Sequence, residues 1–316
     1  MSELVMSQPA VDPARASSLP LPEHEWRRRA AAHAARVEQW VRPVQERRLR
    51  GEAHPVEDFL FTYYSQRPAR LLRWSPGAGA VLAAVDRDAL PEGCDWEAVP
   101  GGFRLAAPPE GIARTAAWVV ELLERTASRP AQFGCFGLHE WAMVHRQPAE
   151  QVRHASWPLR LGADGTSEVV ESLPVRCSHF DAFRFFTPEA RPLNQLQPTR
   201  ATQAELEQGG CLHANMDLYK WAYKVFPYVD AELVADCFDL ARRVRELDMR
   251  ASPYDLRALG YEPVAIETAA GRAEYVVQQR AFAAEAATLR ERLLAQALTV
   301  LEVGRAAQSG CAPQSG

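Results

Sequence analysis

The stretch "CLHANMDLYKWAYK", Cys211–Lys224, holds both lysines of the chain, although lysine and arginine together number 36. Its apolar and aromatic residues recur with a helical period, and the helix runs from about Asn215 until Pro227, which lacks an N–H and clashes with the preceding turn. If the helix reaches back to Cys211, then His213, Asp217, Lys220, Trp221 and Lys224 share one face at spacings of three and four. Asp217 then meets Lys220, with His213 one turn above it.

The same period recurs on both sides. Glu23 to about Arg50 reads as a helix with a kink at Pro43 and a stop at Gly51. "HPVEDFLFTYY" (54–64) reads as a shorter helix with Pro55 in its first turn. "AVLAAV" (80–85) and "WEAVPGGFRLA" (96–106) read as strands, the second folding back through Pro-Gly-Gly as a hairpin. Glu110 to about Ala127 is amphipathic, with Ile112, Ala116, Val119, Val120 and Leu123 at helical spacing. "SEVVESLPVRC" (167–177) reads as a strand, and Asp230 to about Met249 as a helix. "PVAIET" (263–268) and "RAEYVVQQ" (272–279) read as a strand pair, unless the second opens the last helix, which extends to about Val303. The expectation is a mainly α, multi-helical globular domain with a small β element in the N-terminal third. It occupies residues 21–303, with a sub-boundary near 128, between a disordered arm (1–20) and a disordered tail (304–316).

Composition narrows the function. A hydrophobic content of 47% and a charged content of 24% are ordinary for a globular enzyme. No apolar run approaches the roughly 18 residues of a membrane span, and the first residues lack a basic segment followed by an apolar one, so a cytoplasmic location is expected. The six cysteines form no C-x-x-C pair and read as reduced thiols. A net charge of −4 disfavours broad, non-specific nucleic-acid binding but leaves room for a local basic groove.

Polar residues concentrate in three aromatic segments. In "GLHEWAMVHR" (137–146), His139 and Glu140 point about 100° apart on a helix and cannot form an i, i+4 metal pair; with Trp141 they are either buried polar groups or substrate contacts. In "RCSHFDAFRFFTPEARPLN" (176–194), His179 and Asp181 fall on one side of an extended chain. Asp181 also suits a helix N-cap and can pair with Arg184, while Phe183 and its neighbours can stack on a flat ligand. In the 211–224 stretch, a carboxylate flanked by an imidazole and an amine suits a general base. Asp217 and His213 therefore rank above Lys220, with Asn215 and Tyr219 beside them and Lys224 as a surface residue. A further charged segment, "RELDMRASPYDL" (245–256), offers Asp248, Arg250 and Tyr254 as substrate contacts.

Across "HPVEDFLFTYYS" (54–65), "LHEWAMVHR", "RCSHFDAFRFFTPEARPLN", "GCLHANMDLYKWAYK", "RELDMRASPYDL" and "GRAEYVVQQRAFA" (271–283), the chain resembles a bacterial, actinobacterial-type family labelled 3-methyladenine DNA glycosylase. The resemblance implies hydrolysis of the N-glycosidic bond of an alkylated purine, in DNA or a related nucleoside, with the base flipped out and a carboxylate assisting water. No cofactor is required for that reaction. The Leu-Pro-Gly-Val-Gly-like hairpin of helix-hairpin-helix glycosylases is not in the sequence, so no catalytic residue carries over from them. Asp217 or Asp181 is the expected carboxylate, with His213, His179, Glu140 and Lys220 around it. Two alternatives stand beside this. One is a metal-dependent enzyme acting on a small molecule, with His139, His179 and His213 as ligands to a divalent ion and Glu140, Asp181, Asp217, Cys177 or Cys211 completing the set. The other is a non-enzymatic ligand-binding protein, in which the three polar segments lie apart and the lysines sit on an open surface.

Overall fold

A computed structural model of the chain describes residues 19–84, 86–148 and 156–310. Apart from residues 19 and 20, the expected arm lies outside the described residues, as do residues 311–316 of the expected tail. Among the described residues the architecture is mainly α, with one small sheet in the N-terminal third.

Helix α1 (Glu23–Leu49) runs on through Pro43 and buries Trp26, His33, Val37, Val41 and Val44 along one stripe. Two short helices follow, α2 (Phe59–Tyr63) and α3 (Pro68–Leu71). Strands β1 (Val81–Leu82), β2 (Trp96–Val99) and β3 (Gly102–Leu105) form an antiparallel sheet ordered β1-β3-β2. The Pro-Gly-Gly turn places Val99 opposite Gly102, as the hairpin reading expects.

The amphipathic helix α4 (Glu110–Ala127) is followed by the five-residue α5 (Leu138–Ala142). Of the expected strand over 167–177, residues 167–172 are instead the end of α6 (Gly162–Ser172), which buries Thr166, Val169 and Val170, and beyond it Val175 makes a single parallel bridge to Asn194. Thr166, Val169 and Val170 stand at i, i+3 and i+4, a helical spacing that outweighs the β-branched propensity of the two valines. The short helices α7 (Phe180–Phe183) and α8 (Gln203–Leu206) lead to α9 (Leu212–Val225), α10 (Ala231–Arg250) and α11 (Ala269–Gly310). The segment read as a second strand, 272–279, lies inside α11, and α11 passes the expected end at Val303.

Helix α9 is the centre of the molecule. It packs on α4, α10 and α11, and only Lys220, Tyr223 and Lys224 escape full burial. The helix does reach back to Cys211, as its N-cap, but it is enclosed on nearly all sides and does not present one chemical face to solvent. A helix surrounded on all sides must bury its polar residues too, and these then require partners. Supplying those partners is what assembles the site.

Candidate active site

The three polar segments converge. The side chains come from α5, from the start of α7, from the residue that follows α8, and from α9 and α10. The N-cap of α7 is His179, whose Nδ1 accepts the Ala182 N–H at 3.3 Å. That bond fixes the tautomer, so Nε2–H faces Asp217 Oδ2 at 3.3 Å, with Glu207 Oε1 at 3.5 Å. Asp217 is fully buried on α9. Its Oδ1 accepts from the Tyr64 hydroxyl at 2.5 Å, and its Oδ2 also accepts from Lys220 Nζ at 2.8 Å. Lys220 reaches on to Asp181 Oδ2 at 2.7 Å and lies over the Trp221 ring.

A second relay starts from α5. Gly137, at φ +75°, supplies the left-handed turn into that helix, and a side chain there would meet Ala251 and the Tyr275 ring at 3.4 Å. His139 Nε2 pairs with Asp248 Oδ1 of α10 at 2.7 Å, while its Nδ1 lies 3.6 Å from Cys135 Sγ. Asp248 Oδ2 accepts from Arg245 Nη1 at 2.9 Å, and the same nitrogen donates to Glu140 Oε1 at 3.0 Å. The Arg245 guanidinium is covered by the Phe59 ring at 3.6 Å.

His213 joins the two relays. Its ring meets His139 edge-on, with centroids 4.3 Å apart, and stacks on His179 at 5.4 Å. Neither of its nitrogens has a hydrogen-bond partner among the described residues. Burial and the field of His139 hold its pKa well below the usual histidine value, so it is a neutral imidazole. Burial also works against a charge on His139, but the adjoining Asp248 outweighs it and the pKa lies well above the usual value. His179 is raised as well: burial opposes its charge, and Asp217 and Glu207 overcome it. Burial would raise Asp217 and Asp248, yet Lys220 with His179, and His139 with Arg245, hold both carboxyls below their usual range. Glu207 is raised by its burial.

Charge explains the pattern. Asp217 and Asp248 are buried, and among the described residues Lys220 contacts the first and Arg245 the second. Lys220 is also shared with Asp181. Asp248 beside His139, and Asp217 with Glu207 beside His179, are what raise the proton affinity of these two imidazoles.

A cavity of about 210 Å3 opens onto the second relay. Cys135, His139 and His213 lie on it, with Gln279, Tyr275 and the exposed Arg176 around them. His179, Asp181, Glu207 and Asp217 do not line it. Of the expected site residues, His139, Glu140, His179, Asp181, His213, Asp217, Lys220 and Asp248 are brought together.

Others are placed elsewhere. Asn215 holds Gly209 O and Arg290, Trp141 donates to Ala251 O, and Arg250 donates to Glu262 O. Tyr219 packs against Phe238, Phe183 against Phe186, and Arg184 lies outside over Phe185 and Asp181. Tyr254 belongs to a separate small core with Val56, Val144, Met249 and Leu256. The sequence reading missed Cys135, Tyr64, Glu207, Arg245 and Gln279 as site residues. For Cys135 a signal existed, since it stands four residues before His139, and for Arg245 likewise, three before Asp248. Glu207 and Tyr64 carry no local signal.

No family model, no curated protein and no solved structure matches this chain. Its function therefore has to be argued from the site.

Proposed function

We propose that this chain is a hydrolase that acts on a small molecule, or on an extruded part of a larger one, seated in the cavity floored by His139 and His213. The observation that carries the reading is the His139–Asp248 pair: the imidazole lies on the cavity while a buried carboxylate fixes its far nitrogen at 2.7 Å. An imidazole so oriented hands a proton to a leaving group and takes one from an attacking water. Asp217, the carboxylate favoured from sequence, has its oxygens taken by Tyr64, Lys220 and His179 and lies away from the cavity. It bears on the cavity through His179, whose ring stacks on His213.

The resemblance narrows the substrate to a modified purine attached to a sugar, and the amide side chains of Gln132 and Gln279 on the cavity wall suit the edge of a base. In that form His139 protonates the departing base as water attacks the sugar carbon. Base release from alkylated DNA and from alkylated nucleosides, compared for the native chain and His139→Gln, tests it. A loss of about 100-fold or more is expected. No release from any of these substrates by the native chain removes the glycosidic form.

A second reading rests on a different observation. His179 Nε2 stands 3.3 Å from Asp217 Oδ2 and 3.5 Å from Glu207 Oε1, and the three ligand atoms, all deeply buried, lie within 4.8 Å of one another. Ligands bonded at about 2.1 Å to one divalent ion lie about 3.0–3.5 Å apart. These three residues fit such an ion, with Lys220 beside it on the Asp217 carboxylate. Elemental analysis of the purified protein decides the matter: one equivalent of metal that disappears in His179→Ala supports a metal-dependent enzyme, and active metal-free protein excludes it.

A further inference from the structure

We infer that Cys135 is a covalent nucleophile, activated by His139 and Asp248, and that the cavity carries out acyl transfer through it. The inference rests on the cavity being the active site and on no particular substrate named above.

The geometry is that of a thiol–imidazole–carboxylate relay. Cys135 Sγ lies 3.6 Å from His139 Nδ1, and His139 Nε2 lies 2.7 Å from Asp248 Oδ1. The two imidazole nitrogens thus serve two different partners, a nucleophile on one side and an orienting acid on the other. Asp248 is in turn held by Arg245, so the relay has a fixed inner end. The outer end is accessible: Cys135 is half-buried and lies on the cavity wall.

Backbone conformation supports the aim of the thiol. The residue after Cys135, Phe136, has φ +48°, an uncommon conformation for a side-chain-bearing residue, and Gly137 follows at +75°. Two left-handed residues in a row turn the chain back so that Cys135 meets a histidine on the helix that begins just beyond it. Two other thiols line the same cavity: Cys177 gives its S–H to His179 O, and Cys211 is the N-cap residue of α9, without a side-chain cap hydrogen bond. Burial pushes both of these thiols up, away from the thiolate form.

An independent observation indicates a ligand. Gln279 is 1% exposed and lies on the cavity, with its Nε2 donating to Gly210 O at 2.7 Å. Its Oε1 has no partner among the described residues. A buried acceptor left open is costly unless a donor arrives, so a ligand N–H or O–H completes it.

The step balances as follows. The Cys135 proton passes to His139 Nδ1, and Sγ attacks the acyl carbon of an ester, amide or thioester. The tetrahedral adduct expels its alcohol, amine or thiol, which takes the proton back from His139 and leaves an acyl-thioester on Cys135. Water then attacks that thioester with His139 as base, and releases the acid and the free thiol.

Two probes test this. Iodoacetamide at neutral pH, followed by peptide mass mapping, should alkylate Cys135 at least about tenfold faster than glutathione, and His139→Gln should remove the difference. With p-nitrophenyl acetate, an acetyl group should appear on Cys135 and be shed again by the native chain. Asp248→Asn should slow both reactions while thermal unfolding confirms that it folds. Cys135 reacting no faster than glutathione, or equally fast in folded His139→Gln, overturns the inference. The probes need no natural substrate. A reactive Cys135 in a chain that releases no base therefore discards the glycosidic reading alone, and base release by a chain whose Cys135 reacts no faster than glutathione discards the nucleophile alone.

Discussion

At the scale of single residues, the lysine that first drew attention to α9 is a buried counter-ion. Lys220 lies between Asp181 and Asp217 at 2.7 and 2.8 Å, and these neighbours push its pKa up despite the burial that opposes its charge. Removing it as Lys220→Met leaves Asp217 charged in the core, which costs about 3–5 kcal/mol. The double variant Lys220→Met/Asp217→Asn should recover a good part of that loss in urea unfolding. If the two single variants simply add, the pair is not coupled. Tyr64→Phe removes the hydroxyl that the same carboxylate accepts from at 2.5 Å. An expected loss of about 1–3 kcal/mol follows from leaving that oxygen short of a donor. Arg in place of Lys220 is no equivalent, because a flat guanidinium would need space that Trp221, 4.5 Å from Nζ, already occupies.

At the scale of elements, α10 holds Arg245 and Asp248 in the site from a start that is anchored by a side-chain cap. Asp230 caps α10, accepting the Leu233 N–H at 2.6 Å and a bond from Gln296 of α11. Asp230→Ala should cost about 1–2 kcal/mol in chemical unfolding, and Asp230→Asn much less, since an amide oxygen still caps. How far the elements were legible follows from the same helices. The 110–127 helix and the 96–106 hairpin could be read because their apolar residues keep one period and their turns carry the required glycines. The 167–177 stretch was misread because two adjacent valines and a following proline imitate a strand; the packing of Val169 and Val170 beside Thr166 makes residues 167–172 helical. The 272–279 stretch was ambiguous for a similar reason, and its place in a 42-residue helix is set by contacts with α4, α9 and α10.

At the scale of the whole molecule, stability should depend on pH through histidines of opposite character. His33 is buried beneath α3, with Nε2 donating to Leu71 O at 2.9 Å, and burial lowers its pKa. A folded-state pKa below the unfolded value near 6.5 means full stability above that pH and a progressive loss below it, as the unfolded chain takes up a proton that the fold refuses. His139 and His179 have the opposite sign: their raised pKa values favour the fold at low pH and lose that contribution as pH rises through the folded values. His33→Gln should therefore flatten the fall in Tm between about pH 7 and pH 5, relative to the native chain. An unchanged profile would show that His33 titrates alike in both states.

The sequence by itself determined the helical class, the hairpin and the central stretch, because periodicity and turn residues are local properties written in consecutive positions. It also named most of the buried polar residues that now stand together, His139, His179, His213, Asp181, Asp217 and Asp248, because charges set among aromatics stand out in one dimension. Which of them face a ligand was decided only by tertiary structure. Asp217 is sealed behind Tyr64 and Lys220, whereas His139 and the unremarked Cys135 line the cavity. The physical reason is distance along the chain: His139 finds Asp248 109 residues away, and His179 finds Asp217 38 residues away. Pairings of that length are chosen by how the helices pack around α9, and no local pattern records them.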